Sequence, residues 1–174
     1  LQIAIDQFPQ EPGVSACWLD LADLQHAEGE MEAMQASLDA AQERFNARAS
    51  LRRFFAWRHQ ALSCKHALGL GLTDQASRFL DQLDQTIRSL DGSTSSQRLS
   101  YWILFADVLA AQALYDAVEQ GMLEALADAE LLQLPQSATL YHSLARAQGR
   151  LEQRDPRRER RSIHTARAGL EVAG

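Results

Sequence analysis

Of the 17 basic residues in the 174-residue chain, only Lys65 is a lysine. This bias towards arginine points to a GC-rich bacterial genome. Proline is equally sparse, occurring at 9, 12, 135 and 156 and nowhere between 12 and 135. A proline-free stretch of that length, rich in Ala, Leu, Gln, Glu and Arg, is one that helices tolerate and favour. Sustained period-two runs of Val, Ile and Thr are missing, so strands are not expected. No apolar run approaches the roughly 18 to 20 residues of a membrane-spanning helix, and no basic-then-apolar leader opens the chain. The expectation is a cytoplasmic protein that does not enter the membrane. Two cysteines, Cys17 and Cys64, fall on separate expected helices and form no C-x-x-C, so both are read as reduced, buried, small apolar groups. The first residue is Leu1 rather than Met, and the chain is read as a piece of a longer protein.

Motifs that carry chemistry are missing too. The histidines at 26, 59, 66, 142 and 164 make no H-E-x-x-H, and Cys64-x-His66 splits its two side chains between helix faces, so no metal site is expected. Gly69-x-Gly71 lacks the lysine and the preceding strand of a phosphate loop, and no G-x-S-x-G is present. The carboxylates of Glu28, Glu30, Glu32, Asp81 and Asp84 lie at turns and outward faces, where they are solvated surface. The chain is therefore read as neither an enzyme nor a cofactor binder.

What remains is helical. Ser15 caps a first helix to about Ala27, and Glu28-Gly29-Glu30 turns the chain into a second, Met31 to Ala47. Ser50 caps a third that ends at Leu68-Gly69-Leu70-Gly71, and Thr73 caps a fourth from Asp74 to Leu90. A polar loop, 91–96, precedes a fifth helix from Gln97 to Ala113 and a sixth from Tyr115 to Leu132. Pro135 ends that pair. The seventh runs from Ser137 to Gln153, and Asp155-Pro156 opens the eighth. The short turns predict antiparallel neighbours.

The order of side-chain sizes repeats. Steps of 42 align Trp18, Gln60 and Trp102, then Ala22, Cys64 and Ala106, then Gly29, Gly71 and Ala113. They also align Met34, Ala76 and Val118, then Leu38, Leu80 and Met122, then Ala41, Leu83 and Ala125. Small groups recur where helices approach closely, and larger ones where a gap needs filling. The expected organisation is one all-α domain over 1–174, built of units at about 15–49, 50–92, 96–135 and 137–172.

Two of these units, Trp18-Leu21-Ala22-Gly29-Met31-Met34-Leu38-Ala41 and Trp102-Phe105-Ala106-Ala113-Tyr115-Val118-Met122-Ala125, resemble the tetratricopeptide consensus. The middle unit keeps Gly71, Ala76, Leu80 and Leu83, and a fourth begins at Tyr141-Leu144-Ala145. In that fourth unit the Asp155-Pro156 break displaces the second helix, where Ile163, Ala166 and Leu170 still form an apolar stripe. The family's period is about 34 residues, so this chain is similar to the long-period arrays of bacterial transcription activators and of repeats ahead of some diguanylate cyclase domains. The resemblance implies a right-handed superhelical array of three to four helix pairs, with the first helix of each lining a groove. It nominates Leu19 and Asp23, Ala61 and Lys65, and Ile103 and Asp107 as groove residues, with His26, Arg58 and Arg146 beside them. Trp18 and Trp102 occupy the packing position, and Trp57 lies outside that register and is expected to be partly exposed.

Charge is divided unevenly. Residues 1–135 hold 9 basic and 19 acidic side chains, whereas residues 136–174 hold 8 and 4. The acidic majority disfavours nucleic acid as a partner. Arg150, Arg154, Arg157, Arg158, Arg160 and Arg161 form a basic patch that suits an acidic partner or another copy of the chain. The expected function is a protein-interaction and regulatory module that binds a protein or peptide segment. The alternative is a sensor domain whose small effector controls an attached output domain, and a homo-oligomer is possible in either case.

Overall fold

The computed structural model describes residues 13–47, 49–90, 92–155 and 161–173. The helices are α1 (Val14–Glu28), α2 (Met31–Ala47), α3 (Ala49–Gly69), α4 (Thr73–Ser89) and α5 (Ser95–Ala111), followed by α6 (Tyr115–Leu126), α7 (Ala129–Leu132), α8 (Ala138–Arg154) and α9 (Ser162–Ala173). A 3₁₀ turn, Pro135–Ser137, precedes α8. No strand occurs among the described residues, so the fold is all-α.

The 42-residue period is written in the backbone. Gly29, Gly71 and Ala113 all take left-handed conformations, with φ of 78°, 73° and 59°. Each turn closes with the same two main-chain bonds. The N–H groups of Gly29, Gly71 and Ala113 donate to the carbonyls of His26, Leu68 and Ala110. Those of Glu30, Leu72 and Leu114 reach back to Gln25, Ala67 and Leu109. This is the Schellman arrangement, which satisfies carbonyls that a helix end would leave bare. Burial repeats with it: Ala22, Cys64 and Ala106 are all fully buried, as are Met34 and Ala76, with Val118 at 1% exposure. The Cys64 thiol donates to the Ala76 carbonyl at 3.4 Å, tying the small positions of the middle pair together.

The chain divides into two compact units, Leu1–Thr86 and Ile87–Gly174, with the boundary inside α4. In the first, α1 pairs with α2, and α3 packs on both. Leu19, Ala22, Met34, Leu38, Ala41, Phe45 and Leu62 form that core, flanked by Trp18, Met31 and Phe55. In the second, α5 pairs with α6, α8 packs on both, and α9 packs on α8. Leu99, Ala106, Val118, Met122 and Ala125 meet Leu131, Leu140, Leu144 and Ala147 there. Trp18, Trp57 and Trp102 are all half-buried, so the expected distinction for Trp57 is not found.

Several boundaries differ from the expected ones. Ser15 is not a cap: it lies inside α1, buried, with its hydroxyl unpartnered. The cap expected at Ser50 lies outside the described side chains. α5 starts early because Thr94 and Gln97 make a reciprocal capping box. The expected sixth helix is broken after Leu126, where the Asp128 side chain accepts from the Glu130 N–H and opens α7. Asp155 is extended (φ −129°, ψ 98°) and ends α8, its N–H donating to the Leu151 carbonyl, and the last described helix begins at Ser162. The Glu152 carboxylate caps that helix instead, accepting from the Arg161 and Ser162 N–H groups at 2.6 and 3.0 Å.

Candidate functional site

Within each unit the first helices of successive pairs lie side by side and are joined by ion pairs. In the first unit Lys65 Nζ donates to Asp23 at 2.9 Å, and Arg58 pairs with Asp20. In the second, Arg146 pairs with Asp107 at 3.2 Å. Four nominated groove residues, Asp23, Lys65, Asp107 and Arg146, are thus brought together two by two. These side chains are between a third and a half exposed, where a pair is worth about 0–1 kcal/mol. Their main effect is to hold neighbouring helices in register.

His26 sits beside this cluster. Burial is the main cause that holds its imidazole below the usual histidine range, and the Lys65 charge adds to it against the pull of Asp23. His66 on α3 meets the Met31 carbonyl at 3.0 Å. His59 lies deeper, edge-on to Phe45 and 3.2 Å from the Leu38 carbonyl, and burial lowers its pKa as well. Among the described residues no three His, Cys, Asp or Glu side chains come close enough to hold a metal ion. Nor is any described helix long and apolar enough to cross a membrane.

Two nominated residues do not face a groove. Leu19 and Ala61 are buried, because each stands three residues before a core position, Ala22 or Cys64, and shares its helix face. Ile103 has the same relation to Ala106 and is half-buried, packed against the second core. Arg58 is half-buried in its ion pair.

The basic patch is only partly described. Arg157, Arg158 and Arg160 lie outside the described residues. Arg150, Arg154 and Arg161 are exposed, and with Arg146 the first two continue a basic ridge along α8. Arg154 is engaged, its guanidinium 5.0 Å above the Tyr115 ring and donating to the Ala113 carbonyl at 3.4 Å.

One cluster went unforeseen. Arg98 on α5 grips Asp128 at 3.1 Å and Glu130 at 2.6 Å, and Ser95 also donates to Glu130. These hydrogen bonds hold the Glu130 carboxyl below its usual range. The signal was present as Asp128-x-Glu130, a cap followed by a first-turn acid, inside a stretch that otherwise reads as one helix. The cluster is a latch on the α6–α7 break, with its polar groups turned towards one another. In the first unit Ser15 Oγ, Trp18 Nε1 and Gln60 Oε1 are buried without hydrogen-bond partners. Comparison with protein-family models, with curated proteins and with solved structures finds no match to the chain.

Proposed function

We propose that the chain is a tetratricopeptide-like interaction and regulatory module whose pairs build a right-handed superhelix, as in bacterial signalling or transcription-regulatory proteins. Its ligand is a protein or peptide segment laid across the exposed faces of the first helices. The observation that carries this reading is the side-by-side arrangement of first helices in each unit. Asp23 with Lys65 and Asp107 with Arg146 set alternating charge on their outer faces. A surface of mixed sign, with backbone-closed turns keeping the pairs in step, suits a polypeptide better than a phosphate chain.

Peptide display on the immobilised chain tests it. A random library is expected to enrich a consensus sequence whose binding falls at least about tenfold, roughly 1.4 kcal/mol, with Asp23→Arg or Arg150→Glu. Asp39→Arg, on the outer face of α2, is expected to leave binding unchanged. Absence of enrichment, or binding indifferent to Asp23 and Arg150, would overturn the reading.

A further inference from the structure

The break between α6 and α7 rests on one torsion. Ala127 (φ −78°, ψ −14°) and Gln133 (φ −81°, ψ −10°), which end the two helices, are both helical, and between the helices only Asp128 (φ −84°, ψ 100°) is extended. Returning that ψ to about −42° would make one helix of 115–132. Nothing local forbids it, for 122–132 holds no proline or glycine and is made mostly of Ala, Leu and Glu. At the same register the two earlier copies do run straight: Arg44 lies inside α2 and Thr86 inside α4. What holds the break is side chains. The Asp128 carboxylate accepts from Arg98 Nε at 3.1 Å and from the Glu130 N–H at 3.0 Å, and Arg98 also grips Glu130 and the Ser93 carbonyl. Core filling is the other half. Phe45 and Ile87 fill one repeat position, at 2% and 7% exposure, and its third copy is alanine, Ala129. Leu131, two residues on, is fully buried in the second core. In a straight helix it would stand about 200° round from position 129 and leave that core.

We propose that Asp128 is a hinge between two packings of this stretch, broken with Leu131 inside the core or straight with Leu131 withdrawn, and that Arg98 is the catch that keeps it broken. The two packings exchange one set of interactions for another. The straight form gains main-chain helix bonds and the broken form gains the Arg98 pairs and a buried leucine, so neither side holds an overwhelming advantage. The hinge is placed to act at a distance. Leu131 shares the second core with Leu140 and Leu144 of α8, and α7 leads into α8 through the turn at Pro135–Ser137. The state of Asp128 therefore sets how α8 seats, and with it the Arg146 side of the α5–α8 pair. That regulatory consequence rests on the reading of these helices as a ligand surface, whereas the hinge itself does not.

Nuclear magnetic resonance and circular dichroism of the full chain are the test. Ala129→Leu supplies a core group at the repeat position, and Asp128→Ala removes the cap and its grip on Arg98. Together they are expected to bring the Cα shift at position 128 to a helical value, to slow amide exchange over 129–132 at least about tenfold, and to raise helix content. In Ala129→Leu alone the two packings compete. Adding Arg98→Met there is expected to move their ratio about tenfold towards the straight form, since two partly exposed ion pairs are lost. Leu131→Ala is expected to raise helix content as well. A break that is only a fixed part of the architecture predicts the opposite sign, because each change then removes a native contact and lowers helix content. The proposal is overturned if position 128 stays extended in the Asp128→Ala, Ala129→Leu chain. It is equally overturned if Arg98→Met leaves the ratio unmoved, or if helix content falls with Leu131→Ala. Peptide binding enters none of these readouts, so failure here leaves the display result standing, and failure there leaves the hinge.

Discussion

The two units solve the same packing problem with different materials. In the first, the left-handed turn residues are Gly29 and Gly71, and main-chain bonds alone close the corners. In the second, Ala113 takes that conformation, and Arg154 adds a hydrogen bond to its carbonyl. The first unit keeps α2 unbroken from Met31 to Ala47, whereas the matching stretch of the second breaks after Leu126 and is latched by Arg98, Asp128 and Glu130. Where glycine and an uninterrupted helix suffice, the backbone does the work. Where they are missing, long side chains reach in to hold the ends.

The largest expected effect bears on close approach. Gly121 is buried in α6, and a Cβ there would collide with the Phe105 ring. Gly121→Val is expected to cost about 3 kcal/mol by overpacking. At the same register of the first unit stands Ser37, whose hydroxyl donates to Gln25 at 2.8 Å. Ser37→Gly should cost only about 1 kcal/mol, for one hydrogen bond and some helix propensity. Urea denaturation of both variants checks the ratio, and equal losses would erase the contrast between the units.

An intermediate effect reverses sign from one unit to the other. Nothing crowds a Cβ at Gly29 or Gly71, so alanine there meets only the left-handed penalty of roughly 1–2 kcal/mol. Restricting the unfolded chain returns about 0.4–1 kcal/mol. Gly29→Ala should therefore destabilise by about 1 kcal/mol, and Ala113→Gly should stabilise by a similar or smaller amount. Thermal melts of the two variants are expected to move in opposite directions.

The smallest effect is a pH dependence seated in the first unit. His59 and His26 are held below the ordinary 6.5 in the folded chain, mainly by burial. The unfolded chain therefore takes up these protons first as the pH falls. The stability they contribute is complete above pH 6.5 and declines as the pH drops below it. Melts followed from neutral to mildly acidic pH should show this loss, and His59→Asn should flatten it. An unchanged slope in that variant would move the titration to other groups.

The all-α class was legible in the sequence because proline is missing between 12 and 135 and strand-like runs are absent, and the repeated order of side-chain sizes reports the spacing between pairs. Ala22, Cys64 and Ala106 share no chemistry beyond smallness, yet all three are fully buried. Rotation of a helix about its own axis is a different quantity, and the period says little about it. The resemblance therefore places Leu19 and Ala61 in a groove although each shares a face with a core residue. Ends of helices were less legible still. Ser15 is a good cap by type, but α1 begins at Val14 and encloses it. The Thr94–Gln97 box was readable as Thr-x-x-Gln but lay in a run of serines that reads as loop. The latch around Arg98 joins residues about 30 apart in the chain, which local patterns do not register. Of the candidate surface, the paired charges were legible as a list of positions, and their pairing needed three dimensions.

The three left-handed corners carry a consequence for descent. Each is closed by atoms common to every amino acid, so selection there acts on a single torsion angle, and glycine at two corners and alanine at the third both satisfy it. Glycine meets that angle without strain and alanine at a cost of about 1 kcal/mol, so the letters at these corners vary only among residues that tolerate it. A relative of this chain would be recognised by a beat, a reversed torsion closing a helix pair every 42 residues with a further one at Gly92 in the loop before α5, better than by any spelling.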